Sequence, residues 1–277
     1  MPYINSIQNT GEPVKIYYED LGKGKPVVFI HGWPLSSAMW EYQVIQLPQQ
    51  GLRCIIYDRR GFGKSDRPFT GYDYDTLAGD LKSLMDELDL RDVTLVGFSM
   101  GGGEIAKYFW LYGDTRISKV VLVSAVVPYM LQTLNNPDGV PQEEFDKMLE
   151  LMTNDRPSFL EGFNKDFYGD SLMNHPVSEA YLNNSLNKAM DASPIATIEC
   201  AKSFSSTDFR QDVITINVPT LIIHGDKDKT VPIKATGEES AKLINGSVLK
   251  VYEGAPHGLW FTEKEKLNQD LVDFINQ

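Results

Sequence analysis

A serine between two glycines is the part of this chain best suited to chemistry. Gly97, Ser99 and Gly101 form a G-x-S-x-G pattern directly after the apolar run 93–96, and a helix-like stretch follows. A serine on such a strand-to-helix turn has its hydroxyl pushed into a cleft, beside the N–H groups of the helix start. Glycines on both sides let the backbones pass closely enough for the turn. The pattern predicts Ser99 as a nucleophile.

A nucleophilic serine needs a base, and a carboxylate that orients the base. Among the four histidines, His257 follows the last predicted strand in a loop that can project its side chain over the sheet edge. The carboxylate is expected between serine and histidine in the chain, after a strand. Asp226 is so close to the end of its strand that bonds to the turn backbone are its expected role, whereas Asp228 can reach His257 Nδ1. The alternative position, 124–128, holds no carboxylate, so we predict Asp228.

Two backbone N–H groups are needed to hold the oxyanion of a tetrahedral intermediate. The first is predicted to be that of Met100, which follows the nucleophile at a helix N-terminus. The second should come from the loop after the first central strand, where Trp33 is the candidate.

Other polar clusters favour structural roles. The loop 58–65 does not match the phosphate-binding P-loop spacing, so we interpret it as a turn held by Arg–Asp hydrogen bonds. Glu104, near a helix start, is expected to complement the helix dipole. His224, Asp226 and Asp228 resemble part of a metal site, but no further ligand cluster matches them, so we expect neither a metal nor another cofactor.

Composition excludes several classes of partner. A chain of 277 residues, 42% hydrophobic and 23% charged, can bury one large core. A net charge of −12 argues against nucleic acid and anionic membranes as partners, because both require a basic face. Residues 1–6 lack a basic region and an apolar region, so we expect no signal peptide, and no apolar stretch approaches membrane-spanning length. Cys54 and Cys200 lie in apolar settings typical of core residues, so a cytoplasmic protein is expected.

Short apolar runs alternate with helical patterns along most of the chain. The runs, apolar on both faces as in a covered parallel sheet, are 27–30, 54–57, 93–96, 120–123, 220–223 and 248–252. One amphipathic helix is predicted from the spacing of Leu77, Leu81, Leu84, Met85 and Leu88. Residues 3–7 and 15–19 flank a turn at 9–12 and predict an antiparallel hairpin. The alternation indicates an α/β fold with a doubly wound, mostly parallel central sheet flanked by helices.

The alternation stops at Pro128 and resumes near Val213. The stretch between them is too long for an ordinary loop and has helical periodicity. We predict a helical cap, 128–213, over the carboxyl edge of the sheet, where open α/β sheets bind ligands. Residues 1–127 and 214–277 then form the two parts of one core domain.

With these residues in place, the chain resembles the α/β-hydrolases over nearly its whole length, and most of all the bacterial arylesterase and cofactor-free haloperoxidase (perhydrolase) group. The segments that carry the resemblance are 31–35, 57–66, 97–103, 207–210 and 224–228. It implies a triad of Ser99, Asp228 and His257, and an oxyanion hole at Trp33 and Met100. It also implies an apolar acyl and alcohol pocket, and the expected lining is Val126, Phe163, Phe167, Phe204 and Val231. Related enzymes often form trimers or dimers of trimers.

Pro34 adds a prediction within this group. A proline restricts the preceding residue to extended geometry, which could aim the Trp33 carbonyl into the site, where it would accept a hydrogen bond from hydrogen peroxide. The resemblance implies the same, since haloperoxidase-type members carry proline here. We therefore expect a serine esterase for small esters that also forms peracids from short carboxylic acids or esters and peroxide. Halogenation would be a later reaction of the peracid, without haem or metal.

Two alternatives remain open from the sequence. The same triad could hydrolyse lactones, amides or C–C bonds, or perform a lyase reaction. A ligand receptor that kept the fold without turnover is the alternative of another class. Dehalogenase and epoxide hydrolase functions are disfavoured, because those enzymes carry Asp at the position of Ser99.

Overall fold

The fold is built on one eight-stranded sheet. A computed structural model describes residues 2–7 and 11–277. The strand order is β1-β2-β4-β3-β5-β6-β7-β8; β1–β2 and β2–β4 pair antiparallel and all other pairs are parallel. The strands are β1 (Tyr3–Ser6), β2 (Val14–Gly22), β3 (Lys25–Ile30), β4 (Leu52–Tyr57), β5 (Val93–Phe98), β6 (Ile117–Val123), β7 (Thr220–Gly225) and β8 (Val248–Tyr252).

Each predicted apolar run lies within a strand, which confirms the α/β fold class. The hairpin is confirmed by the pairing of β1 with β2, although residues 8–10 of its turn lie outside the described residues. Strand β5 is buried along its whole length because both of its neighbours are parallel strands and helices cover both faces.

Ten α-helices are found in the described ranges. They are α1 (Glu41–Gln46), α2 (Tyr74–Glu87), α3 (Met100–Tyr112), α4 (Gln142–Tyr168), α5 (Glu179–Asp191), α6 (Pro194–Ser206), α7 (Arg210–Val213), α8 (Gly237–Leu243), α9 (Leu259–Thr262) and α10 (Lys264–Asn276). The predicted amphipathic helix corresponds to α2, where Asp73 caps the first turn by accepting from Thr76 N–H at 2.9 Å. No helix of residues 2–7 and 11–277 is long and apolar enough to cross a membrane.

The segment between β6 and β7 carries helices α4 to α7. Helix α4 is broken at Asp155, whose φ of −152° is not helical. Asp155 Oδ1 accepts from Ser158 N–H at 3.1 Å and caps the second half, which has Pro157 in its first turn. Proline costs little there because first-turn N–H groups have no intrahelical partner. The division of the chain at 128 and 213 stays a prediction.

Both cysteines are buried and unpaired, as predicted for core residues. Burial raises the pKa of each thiol to about 12, so neither is a reactive thiolate at neutral pH.

The arginines of the loop after β4 confirm one prediction in part and correct another. Arg60 makes the predicted Arg–Asp hydrogen bonds, with Asp80 of α2, whereas Arg59 is paired with Glu104 of α3. Asp58 accepts from the backbone N–H of Lys64 in its own loop and from that of Ser37. Glu104 lies beyond the first turn of α3 and is fully buried, so it neutralises Arg59 rather than the helix dipole.

Candidate active site

Ser99 lies between β5 and α3 on a strained backbone. Its φ of 51° and ψ of −117° fall in a region that side-chain-bearing residues seldom occupy. Gly97 and Gly101 make this turn possible: a Cβ on Gly97 would lie 2.7 Å from the Gly101 carbonyl oxygen, and one on Gly101 would lie 2.6 Å from that of Ile30. The close packing expected of these glycines is therefore confirmed.

His257 lies between Ser99 and Asp228. His257 Nε2 is 3.0 Å from Ser99 Oγ, and His257 Nδ1 is 2.6 Å from Asp228 Oδ2. The loop after β8 carries the histidine and the loop after β7 carries the aspartate. Asp228 is 9% exposed, His257 1% and Ser99 6%, so these bonds are shielded from bulk water. The structure thus brings together the three predicted residues. In the chain, His257 is 158 positions from Ser99 and 29 positions from Asp228.

The Asp228 carboxylate is kept charged by its partners. Burial alone would raise its pKa, but His257 and His224, by charge and by hydrogen bonding, hold the pKa of Asp228 well below its ordinary value. Its other oxygen, Oδ1, accepts from the N–H groups of Thr230 and Val231 at 2.9 and 2.8 Å. An ionised carboxylate fixed in this way can select the His257 tautomer that leaves Nε2 free to accept a proton.

Asp226 bonds the backbone, as predicted, but in the neighbouring loop rather than in its own turn. Its Oδ1 accepts from Gly254 N–H at 2.6 Å and joins the loop after β7 to the loop after β8. His224, at the end of β7, is a contact of Asp228 that the sequence did not predict. Among the described residues, no three His, Cys, Asp or Glu side chains are grouped to hold a metal ion.

The two predicted oxyanion-hole residues flank Ser99. Met100 is the first residue of α3, so its N–H has no carbonyl of its own helix to bond. Trp33 lies after β3, in a loop closed by a bond from Leu35 N–H to the Gly32 carbonyl at 3.1 Å. Gly32 packs so closely against Ser99 that a Cβ added to it would lie 3.2 Å from the serine Cβ. The Trp33–Pro34 peptide bond is cis.

An apolar cavity of about 410 Å³ opens at Ser99. Four predicted pocket residues line it: Val126, Phe163, Phe204 and Val231. The remaining lining is Trp33, Met130, Val140, Glu144, Phe145, Lys147, Met148, Leu151, Phe159, Asp166, Lys229 and Thr230. Helix α4 supplies much of the wall, with eight lining residues between Glu144 and Asp166. Its neighbour α6 contributes Phe204 and is tied to Trp33 by a bond from Trp33 Nε1 to the Thr197 carbonyl at 2.9 Å.

Phe167, predicted to line the pocket, and Pro34, predicted to act on peroxide through the Trp33 carbonyl, lie outside the cavity wall. Phe167 packs its ring against His257, with the ring centres 4.7 Å apart, and is absent from the cavity wall. Pro34 also lies outside that wall and, with Phe167, borders a separate void of about 10 Å³. Phe167 therefore supports the histidine from behind rather than contacting a ligand in the cavity.

Comparison with known proteins identifies the family. A family model described as "alpha/beta hydrolase fold" matches residues 25–264. The chain belongs to the α/β-hydrolase family. This α/β-hydrolase is 45% identical over 276 residues to a putative non-heme chloroperoxidase from Synechocystis sp., covering 99% of this chain and all of the relative. A bifunctional esterase/perhydrolase from Acinetobacter calcoaceticus is 38% identical over 269 residues, covering 96% of this chain and 98% of the relative.

A solved structure gives the same result. A bromoperoxidase from Bacillus anthracis superposes on this α/β-hydrolase with a TM-score of 0.94 at 45% identity, covering 99% of this chain and 100% of that one. The predicted resemblance to the cofactor-free haloperoxidase and esterase group is therefore confirmed.

Proposed function

We propose that this α/β-hydrolase is a serine esterase for small esters, and that it also transfers the acyl group to hydrogen peroxide. One observation carries the proposal: the hydrogen-bonded chain from Ser99 through His257 to Asp228 meets an apolar cavity of about 410 Å³ at the serine. The names of two relatives, an esterase/perhydrolase and a non-heme chloroperoxidase, support it.

In the acylation step, Ser99 Oγ attacks the ester carbonyl while His257 Nε2 takes the hydroxyl proton. Asp228 orients the imidazole and stabilises its charged form. The N–H groups of Met100 and Trp33 are proposed to hold the oxyanion, and such a donor typically contributes about 10²–10³ in rate. His257 then returns the proton to the leaving alcohol, and the acyl group stays on Ser99.

In the deacylation step, water or hydrogen peroxide attacks the acyl carbonyl and gives a proton to His257, which passes it to Ser99 Oγ as the acyl–oxygen bond breaks. Water gives the carboxylic acid, whereas peroxide gives the peracid. A peracid that leaves the site oxidises halide to hypohalous acid and is itself reduced to the carboxylic acid. Halogenation by this route uses no haem or metal.

The helical segment 128–213 is proposed to act as a cap over the site. Apolar side chains of α4 and α6 form much of the cavity wall, so an acyl group of a small ester can be buried away from water. The trimer or dimer of trimers implied by the family resemblance and the cytoplasmic location expected from the sequence stay predictions.

Acyl-chain profiling with and without hydrogen peroxide tests the proposal. Wild-type protein should hydrolyse p-nitrophenyl acetate, react with a fluorophosphonate probe and form peracetic acid from acetate and peroxide. Ser99→Ala should lose all three activities. Ser124→Ala is the matched control, because Ser124 is also buried at a strand end with positive φ, 42°, yet Ser99 is the serine bonded to His257. Labelling retained in Ser99→Ala would refute the assignment.

The same assay separates the alternatives. Higher kcat/KM on lactones or amides than on p-nitrophenyl esters would make another hydrolase on the same triad the better description. A ligand receptor without turnover is favoured only if wild-type protein hydrolyses none of these substrates.

A further inference from the structure

Arg59 holds the loop that carries Trp33. Its Nη2 donates to the His31 carbonyl at 2.7 Å, and its backbone N–H donates to His31 Nε2 at 2.9 Å. His31 Nδ1 in turn donates to the Gly32 carbonyl at 2.9 Å. Burial, and then the charge of Arg59, hold the pKa of His31 well below its ordinary value, so the ring is neutral and can accept at one nitrogen and donate at the other.

The same guanidinium is fixed to the helix that begins with Met100. Arg59 Nε donates to Glu104 Oε1 at 2.6 Å, and Arg59 Nη2 also contacts this oxygen. Tyr57 hydroxyl donates to Glu104 Oε2 at 2.6 Å, so both carboxylate oxygens are engaged. Arg59 and Glu104 are each 1% exposed at the side chain. The planar fork of arginine, with several donors at fixed angles, is what permits contacts on two sides.

Arg59 thus connects the two backbone segments of the proposed oxyanion hole. His31 lies two residues before Trp33, and Glu104 lies one helical turn after Met100. These segments follow the neighbouring strands β3 and β5, and Arg59 follows β4 on the other side of β3. We infer that Arg59 is a positioning residue that, through Glu104 and His31, sets the separation of the Met100 and Trp33 N–H groups. The inference rests on the proposed function.

Arg60 provides an internal comparison. It is paired with Asp80 through two bonds, 2.6 and 2.7 Å, and both side chains are as buried as those of Arg59 and Glu104. Its partner belongs to α2, and none of its hydrogen bonds reaches the loop 31–34 or α3. The two adjacent arginines therefore make ion pairs of the same kind, but only Arg59 bonds both the His31 carbonyl and the Glu104 carboxylate of α3.

The test compares Arg59→Lys with Arg60→Lys in the full chain. Lysine keeps the charge but cannot bond Glu104 and the His31 carbonyl with a rigid fork. For Arg59→Lys we expect kcat on p-nitrophenyl acetate to fall about 10- to 100-fold with KM within twofold, since a displacement of about 1 Å can cost about 100-fold. The affinity for an alkylboronic acid, which forms a tetrahedral adduct on Ser99, should fall by a similar factor.

Four readouts distinguish positioning from general destabilisation. The urea midpoint should fall in both variants, whereas kcat and boronate affinity should fall in Arg59→Lys alone. The midpoint of the pH–rate profile should stay where it is in wild type, because the bonds of His257 to Ser99 and Asp228 are untouched. Equal kcat losses in the two variants, or a loss confined to KM, would overturn the inference.

A second pair of variants covers the case in which Arg59→Lys does not fold. The double variant Arg59→Met/Glu104→Gln removes both charges together, so no unpaired buried charge remains. Its control is Arg60→Met/Asp80→Asn. The same selective loss of kcat and boronate affinity is expected, and wild-type kcat in the first double variant would refute the inference. An inactive wild-type enzyme would instead be a failure of the proposed function.

Discussion

His224 Nε2 lies 3.3 Å from Asp228 Oδ2, the oxygen that also accepts the hydrogen bond of His257 Nδ1. The same His224 nitrogen donates to the Val231 carbonyl at 2.9 Å. Because Val231 N–H donates back to Asp228 Oδ1, one imidazole at the end of β7 closes the loop that presents the carboxylate. His224 is fully buried, so these bonds do not compete with water.

Replacing His224 should loosen this loop. His224→Leu removes the donor to the Val231 carbonyl, and we expect the free energy of unfolding to fall by about 1–3 kcal/mol. We also expect a lower kcat, because Asp228 loses a constraint. His224→Gln keeps an N–H group, so its free energy of unfolding and its kcat should both fall less. Urea denaturation and p-nitrophenyl acetate kinetics check this, and wild-type stability in His224→Leu would contradict it.

Asp228 and Asp226 should differ sharply in catalysis. Asp228→Asn takes away the charge that orients His257, and in a triad this change lowers kcat by about 10⁴. Asp226→Asn is the matched control, since its bond to Gly254 N–H needs only an oxygen acceptor and the carboxylate bonded to His257 is that of Asp228. Single-turnover acylation measured with p-nitrophenyl acetate separates the two. A comparable loss in both variants would argue against Asp228 as the orienting carboxylate.

The pH dependence of stability should also report on Asp228. The folded-state pKa of its carboxyl lies below the ordinary value, so the unfolded chain takes up this proton first as the pH falls. The stabilising contribution is therefore complete above the unfolded-state pKa of about 4 and is lost as the pH falls through the folded-state pKa. Urea denaturation at a series of pH values should show the advantage of wild type over Asp228→Asn shrinking below pH 4. A stability advantage of wild type over Asp228→Asn that grows below pH 4 would contradict this prediction.

Two phenylalanines of α4 should have different effects when shortened. Phe163 lines the cavity, so Phe163→Ala should shift the preference of the enzyme toward longer acyl chains. Phe167 is 2% exposed and packs on His257, so Phe167→Ala should cost about 3–5 kcal/mol and lower kcat for every ester without changing the chain-length profile. Measuring kcat for esters from acetate to octanoate distinguishes these two outcomes. A shifted chain-length profile in Phe167→Ala would indicate that Phe167 also lines the acyl pocket.

Pro34 is expected to set the balance between peroxide and water. Proline restricts the backbone of Trp33, whose carbonyl is proposed to accept a hydrogen bond from peroxide. Pro34→Leu should therefore lower the ratio of peracid formation to ester hydrolysis, with the hydrolysis rate nearly kept. Peracetic acid and acetate are measured in the same reaction. An unchanged ratio would show that Pro34 does not set the balance between peroxide and water. Because Pro34 does not line the cavity, a changed ratio could not be assigned to the loss of a lining side chain.

The positions of the strands in the chain and the identity of the catalytic candidates could be predicted from local patterns. Apolar runs ending at turn residues marked six strands of the sheet, because a strand buried on both faces needs apolar side chains at successive positions. Ser99 was found from its glycines, and the chain order then limited the base and the carboxylate to few positions. Such signals are contained in a few adjacent residues and in the order of the elements.

The contacts that turn these candidates into a site depended on the tertiary structure. Arg59 and Arg60 are neighbours in the chain, yet their partners lie 45 and 20 residues away on different helices. Phe163 and Phe167 are four residues apart and share one face of α4, so periodicity could not separate a cavity wall from a support of His257. Only the position of that helix over the sheet decided which ring faces the space beside Ser99, because side-chain depth depends on packing between elements distant in the chain.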